Sequence, residues 1–156
     1  MIACDVNVLL YALRAESARH SEYRTWLLEA LDGDEPVALF EPVLASVLRI
    51  ATHPAVYRTP TPRAVVEKYI ETLTALPAAV ILRAGDHHWA LFLDLCRKAN
   101  CHGNMVQDAY LAALVLEHGC RWITTDRDFA RFPRLVWRHP LDPMQDIRNP
   151  SGKNLK

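Results

Sequence analysis

Glycine is scarce in this chain: five among 156 residues leave little material for a phosphate-cradling loop. No P-loop, no dinucleotide fingerprint and no G-x-S-x-G elbow occurs, so the sequence offers no motif-borne nucleotide site and no serine nucleophile. Long apolar runs are missing too. None approaches the roughly 20 residues that cross a bilayer. Asp5 stands where a signal peptide would carry its apolar segment, so the chain is expected to be cytoplasmic with no membrane partner. Zinc-type cysteine spacing is absent as well. Cys4, Cys96, Cys101 and Cys120 lie in unrelated contexts. Cys96, Cys101 and His102 make at most half of a zinc site with no matching second pair, and reduced, mostly buried thiols are the expectation. Finally, there is no excess of one charge. Eighteen Lys and Arg balance eighteen Asp and Glu, which weighs against a broad nucleic-acid-binding face. A local basic groove, or one completed by a second subunit, stays open.

What is present is an ordinary folding composition, 51% hydrophobic and 23% charged, with enough length for one core. Short apolar runs at Ile2–Cys4, Val37–Phe40, Ala79–Leu82, Trp122–Thr125 and Leu135–Trp137 read as strands. Between them lie helical patterns: one directly after Asp5, others near 17–31, 42–50, 62–76, 86–98 and 104–118. Thr61-Pro62 reads as a cap and first helical residue, Asp86 and Asn104 as caps, and Gly119 as a stop. Strands alternating with helices predict a three-layer α/β/α sandwich with a central, mainly parallel sheet. One domain is expected over residues 1–141, followed by a polar, loosely ordered tail over 142–156.

Ligands of such sheets bind beyond the carboxyl ends of the strands. Asp5 and Asp126 each follow an apolar strand at that end, and each could also simply cap the next element. Asp108 is the more telling acid, because Met105–Leu116 is apolar on almost every side. A lone carboxylate there costs several kcal/mol unless a cation sits beside it. That cation is either an arginine or a divalent metal shared with Asp5 and Asp126. Carboxylates without thiolate or paired imidazole ligands suit Mg²⁺ or Mn²⁺, and such ions activate water against phosphate esters.

The residues then match a pattern. Asp5-Val6-Asn7-Val8-Leu9 resembles the D-x-N-x-L opening of PIN domains. Asp108-Ala109-Tyr110-Leu111-Ala112-Ala113-Leu114 resembles their D-A-x-L-A-A-L helix, and Thr124-Thr125-Asp126-Arg127-Asp128-Phe129 resembles their T-x-D-x-D-F segment. The three occur in family order, and the resemblance runs from Met1 to about Leu141. Ser46–Pro54, with Gly103-Asn104, is similar to one branch of the VapC toxins.

This resemblance implies a compact PIN-like fold, a homodimer, and an Mg²⁺- or Mn²⁺-dependent endoribonuclease. Such an enzyme is the toxin of a type II toxin–antitoxin pair, restrained by a VapB-type antitoxin, and it hydrolyses RNA by a metal-activated water. It implies Asp5, Asp108 and Asp126 as catalytic, metal-holding acids, with Asp128 an auxiliary acid or loop cap. Asn7 would hold the first acid or touch phosphate, and Thr124 would support the late one. The family's usual glutamate on the third helix is replaced by Ser46, which could hold a metal-bound water. Glu41 could substitute if the chain bends toward the site. Arg49 and His53 are candidate RNA phosphate contacts, and Arg14, Arg58, Arg63, His87 and His88 could extend that rim or be solvated surface. Trp89 and Phe92 have the spacing of core aromatics. The apolar helices near Val8–Leu13 and Leu111–Leu116 suggest a surface that a dimer or antitoxin would cover. The alternative is a PIN-like module of weak or no activity that binds RNA or a protein partner.

Overall fold

Every short apolar run becomes a strand. The computed structural model describes residues 1–142 and 147–148, and its elements follow the chain in alternation. Strand β1 (Ile2–Cys4) leads to helices α1 (Val6–Leu13) and α2 (His20–Asp32), then β2 (Val37–Phe40), α3 (Glu41–Ala51) and α4 (Arg63–Thr74). Next come β3 (Ala79–Leu82), α5 (His88–Lys98), α6 (Asn104–Glu117) and β4 (Arg121–Ile123). A 3₁₀ turn over Arg127–Arg131 precedes β5 (Val136–Arg138) and β6 (Ile147–Arg148).

The sheet runs β3-β2-β1-β4-β5-β6, parallel except for β6, which pairs antiparallel with β5. All residues of β1 and β2 are buried, as strands covered by helices on both faces must be. α1 packs on α2 and α3, and α3 on α4, while α5 packs on α6. This is the expected α/β/α arrangement. Apart from Asp142 and the backbone of β6, the polar tail expected over 142–156 lies outside the described residues. Among the described residues, no helix is long and apolar enough to cross a membrane.

The topology has one consequence for the site. The chain runs outward from β1 to β2 and β3, then returns to place β4 on the other side of β1. The crevice at the carboxyl ends of β1 and β4 is therefore the switch point of the sheet. Cys4 pairs with Ile123 at that end, and the Asp5 N–H donates to the Ile123 carbonyl at 2.9 Å.

Several helix ends differ from the sequence expectation. Pro62, not Thr61, caps α4. The Thr61 hydroxyl instead accepts from Arg14 Nη1 at 2.6 Å. Asp86 caps nothing: α5 begins at His88, and the Gly85 and His87 N–H groups donate to the Glu117 carboxylate at 2.8 and 2.9 Å. That acid comes from the far end of α6 and serves as the anchor a local cap would have been. Asn104 is the first residue of α6, not its cap. Gly119 does end the helix, with the left-handed φ of 62° that suits glycine.

Burial corrects two further expectations. Val8, Leu9, Leu10 and Ala12 of α1 and Leu111–Val115 of α6 are buried within the chain itself, while Leu13 and Leu116 are half-buried, so little of these faces is left for a partner to cover. Phe92 is core, but Trp89 is 63% exposed and leans on Phe92 from outside.

Candidate active site

Asp5 is held by three hydrogen bonds. It follows β1 directly and caps α1, with Oδ1 accepting the Val6 N–H at 2.6 Å. Its Oδ2 accepts from the Thr124 hydroxyl at 2.6 Å and from Asn7 Nδ2 at 2.8 Å. The carboxylate is 3% exposed. Burial pushes its pKa up to about 6. The Thr124 and Val6 hydrogen bonds oppose that rise, and the charges of Asp126 and Asp108 add to it.

Thr124 ties the first acid to the last. Fully buried just beyond β4, its hydroxyl donates to Asp5 and accepts the Asp126 N–H at 2.9 Å. Asn7 bridges the same pair of segments. Its Nδ2 reaches Thr124 Oγ1 at 3.2 Å and its Oδ1 accepts the Thr125 N–H at 3.4 Å. Asp126 in turn caps the 3₁₀ turn by accepting the Asp128 N–H at 2.8 Å.

Asp108 enters from α6. It is half-buried, at the border of a helix whose covered face is Ala109 and Leu111–Val115. The deeply buried acid is thus Asp5 and not Asp108. Burial raises the Asp108 pKa, the charges of Asp126 and Asp128 raise it further, and Arg131 opposes them.

Asp5, Asp108 and Asp126 line one cleft of about 160 Å³, together with Asn7, Ser46, Arg49 and Gln107. Its apolar walls are Val43, Ile50, Leu111 and Phe129. Among the described residues, no lysine or arginine forms an ion pair with any of the three acids. A larger hollow of about 310 Å³ also carries acids, Glu29, Asp34 and Glu35. There Glu29 and Asp34 are open to solvent, and Glu35 is neutralised by the chain's amino terminus and Arg121. In the smaller cleft the three aspartates lie together with no ion pair to any of them among the described residues, although Arg49 lines the same wall.

Other expected site residues divide. Ser46 lines the cleft, whereas Glu41 opens α3 in an ion pair with Arg83 at 2.7 Å. Arg49 lines the cleft, but His53 does not; its Nδ1 accepts the Ala55 N–H at 3.1 Å and closes the turn after α3. Asp128 is exposed and paired with Arg131. Arg14 is no rim residue: it is buried, with its guanidinium 3.6 Å from the Tyr57 ring centroid and bonded to Glu16, Thr61 and the Thr59 carbonyl. His88 is buried against Tyr110, bonding its carbonyl at 3.1 Å. Gln107 also lines the cleft, and nothing in the sequence marks it as a cleft residue.

The donor set of the cleft is carboxylate, hydroxyl and amide oxygen, which fits a hard divalent cation. Among the described residues, no three Asp, Glu, His or Cys side chains are drawn together as a ready-made metal-holding group. Magnesium-type ions do not require one, because they keep several waters and take one or two carboxylates. The residues therefore fit an open site.

Comparison with known proteins agrees with this geometry. Residues 2–135 match the PIN domain. A VapC ribonuclease of Mycobacterium bovis is 44% identical over 142 residues, covering 91% of this chain and 97% of that protein. The ribonuclease VapC31 of Mycobacterium tuberculosis is 37% identical over 144 residues, 92% of this chain and all of that protein. Among solved structures, VapBC2 from Rickettsia felis, bound to a DNA fragment from its promoter, has a similar fold. The TM-score is 0.67 at 17% identity, over 89% of this chain and 98% of that one.

Proposed function

The chain belongs to the PIN-domain family, and from that premise we propose that it is an endoribonuclease, the toxin of a toxin–antitoxin pair, working with Mg²⁺ or Mn²⁺. The observation that carries this reading is the cleft at the switch point, where burial and the neighbouring carboxylates raise the proton affinity of Asp5 and Asp108, Asp126 lies beside them, and no cationic side chain pairs with the three among the described residues. The ribonuclease activity is the one borne by the names of relatives that align over nearly the whole chain.

The three aspartates would hold the cation. When bound, such an ion lowers the pKa of water and neutralises charge building on the phosphate. The chain's own residues do the rest. Thr124 and Asn7 hold Asp5 in one orientation by hydrogen bonds to the same oxygen. Arg49 stands at the rim, where a guanidinium can take a phosphodiester and fix the register of the strand. Val43, Ile50, Leu111 and Phe129 wall the cleft with apolar surface, which strengthens electrostatics within it.

A VapB-type antitoxin is the expected partner. The support is the family together with the Rickettsia felis VapBC2 structure of like fold. A homodimer and action in the cytoplasm belong to the same reading. Val80 and Ile81 on edge strand β3, and Trp89, are exposed apolar side chains that an interface would cover. The second reading is a module that binds RNA or protein without cutting; Ser46 favours it, because the third helix brings a hydroxyl to the cleft where an acid would add a ligand. Purified chain on labelled RNA separates the two. Cleavage with Mn²⁺ that stops in chelator supports the enzyme, and RNA retention without cleavage at any divalent concentration supports the binder.

Thr124→Val tests the support of the acids. It removes one of three donors to Asp5 and leaves the half-buried Asp126 N–H without its acceptor. Cleavage should fall about 10- to 100-fold, as for other outer-shell partners of metal ligands. Thr124→Ser should restore most of it. Equal rates for the valine variant and the parent would mean that Asp5 needs no such hold.

A further inference from the structure

The end of α5 brings two cysteines together through its backbone. Asn100 takes a left-handed φ of 50°, the Cys101 N–H donates to the Cys96 carbonyl at 2.9 Å, and the Asn100 N–H donates to the Arg97 carbonyl at 3.3 Å. These six-to-one and five-to-two bonds define a Schellman ending, in which the side chains at the positions of Cys96 and Cys101 are apposed and ordinarily apolar. The same bonds close α6. There the Cys120 N–H donates to Val115 at 2.9 Å, the Gly119 N–H donates to Leu116 at 3.3 Å, and the apposed pair is Val115 with Cys120. One of those two positions is a thiol. At the end of α5 both are, each partly buried, with the Cys101 thiol turned back toward the helix end, where it donates to the Leu95 carbonyl at 4.0 Å.

We infer that Cys96 and Cys101 are an oxidant-responsive dithiol that closes to a disulfide and locks the end of α5 onto the segment leading into α6. This inference does not rest on the ribonuclease reading. The backbone bond holds the two residues within the short span a disulfide requires. The oxidant is a peroxide. The Cys96 sulfur attacks one peroxide oxygen, giving a sulfenic acid and releasing one water once protonated. The Cys101 sulfur then attacks the Cys96 sulfur, the S–S bond forms, and the sulfenic oxygen leaves as a second water. Two thiols and one hydrogen peroxide thus give one disulfide and two waters. Cys96 is the attacking sulfur, because burial and the neighbouring thiol push Cys101 up to about 11 and leave it little thiolate. The lock falls on a segment with two left-handed residues, Asn100 and Gly103, immediately before the helix that carries Asp108. The Cys101 thiol already lies within the field of Asp108 and Arg131.

The test treats the native chain with a small excess of hydrogen peroxide, blocks remaining thiols with an alkylating reagent and maps tryptic peptides. Arg97 and Lys98 lie between the two cysteines, so trypsin separates them unless they are linked. Expected are one intramolecular Cys96–Cys101 link, reversed by dithiothreitol, and thiol loss about tenfold faster there than at buried Cys4 and Cys120. Amide exchange over residues 99–104 should slow on oxidation and recover on reduction. Cys101→Ser should stop at a Cys96 sulfenic acid that dimedone captures. Sulfinic acid at Cys96 beside a free Cys101, a link only between two chains, or unchanged exchange over 99–104 overturns the inference.

Discussion

Asp108→Asn will cut RNA at least about 100-fold more slowly than the parent chain in Mg²⁺ or Mn²⁺, and in chelator it will melt no lower. The two halves of this result have one cause. Asp108 faces Asp126 and Asp128, with Arg131 alone easing the repulsion, and burial adds to the cost of its charge. An asparagine of nearly the same shape removes the charge and keeps the packing of α6 on β4. The relief is discounted by solvent, since the group is only half-buried, so the melting temperature should hold or rise by no more than about 3 °C. What is lost is the anion that a cation would bridge to Asp5 and Asp126. Functional sites commonly hold such unfavourable groups at the expense of stability. Cleavage within threefold of the parent would remove Asp108 from the chemistry. A melting point lower by about 10 °C would make it a structural residue instead.

Asp5, Asp108 and Asp126 were legible because local pattern alone marks them. Two follow apolar runs at the carboxyl end of a strand, and the third sits in a helix with almost no other polar side. The same local reading overstated the burial of Asp108 and missed that Asp5 is the deeper acid, because depth depends on Thr124, brought in from 119 residues away. Arg14 illustrates the limit. In sequence it is one basic residue among several, yet it is buried by Tyr57 and Thr61, which only the folded loop after α3 supplies. The anchoring of Gly85 and His87 by Glu117 is hidden for the same reason: a window around Asp86 offers a plausible cap, and the actual acceptor lies some thirty residues on. Periodicity reports which face is apolar. It does not report which polar atom across the chain will satisfy a given N–H. Trp89 shows the converse, an aromatic at core spacing that the fold leaves outside. Ser46 and Glu41 could not be separated by spacing; the ion pair of Glu41 with Arg83 draws that acid elsewhere.

The stability of the metal-free chain should depend on pH with a sign opposite to that of most paired carboxylates, and Asp5 is the reason. Its pKa rises from 3.8 to about 6 on folding. Between those values the native state holds a proton that the unfolded chain has released. The contribution is therefore fully present below about pH 4 and is lost as pH rises through 6. At 1.36 kcal/mol per unit, this amounts to at most about 3 kcal/mol. Glu35 and Glu117, whose pKa values are lowered by their partners, titrate with the other sign, so the clean measure is a difference. Asp5→Asn removes the titration and keeps a side chain that can cap α1. Measured in chelator, the stability of this variant relative to the parent should climb by up to about 3 kcal/mol from pH 4 to pH 7. A divalent cation should offset part of this trend in the parent, because it competes with the proton for the same oxygens. At ten times its dissociation constant it adds about 1.4 kcal/mol, more at pH 8 than at pH 5, and nothing comparable in Asp5→Asn. A flat difference between parent and variant across that range, or equal stabilisation of both by Mn²⁺, would show that Asp5 neither carries the strain of the cleft nor receives the ion.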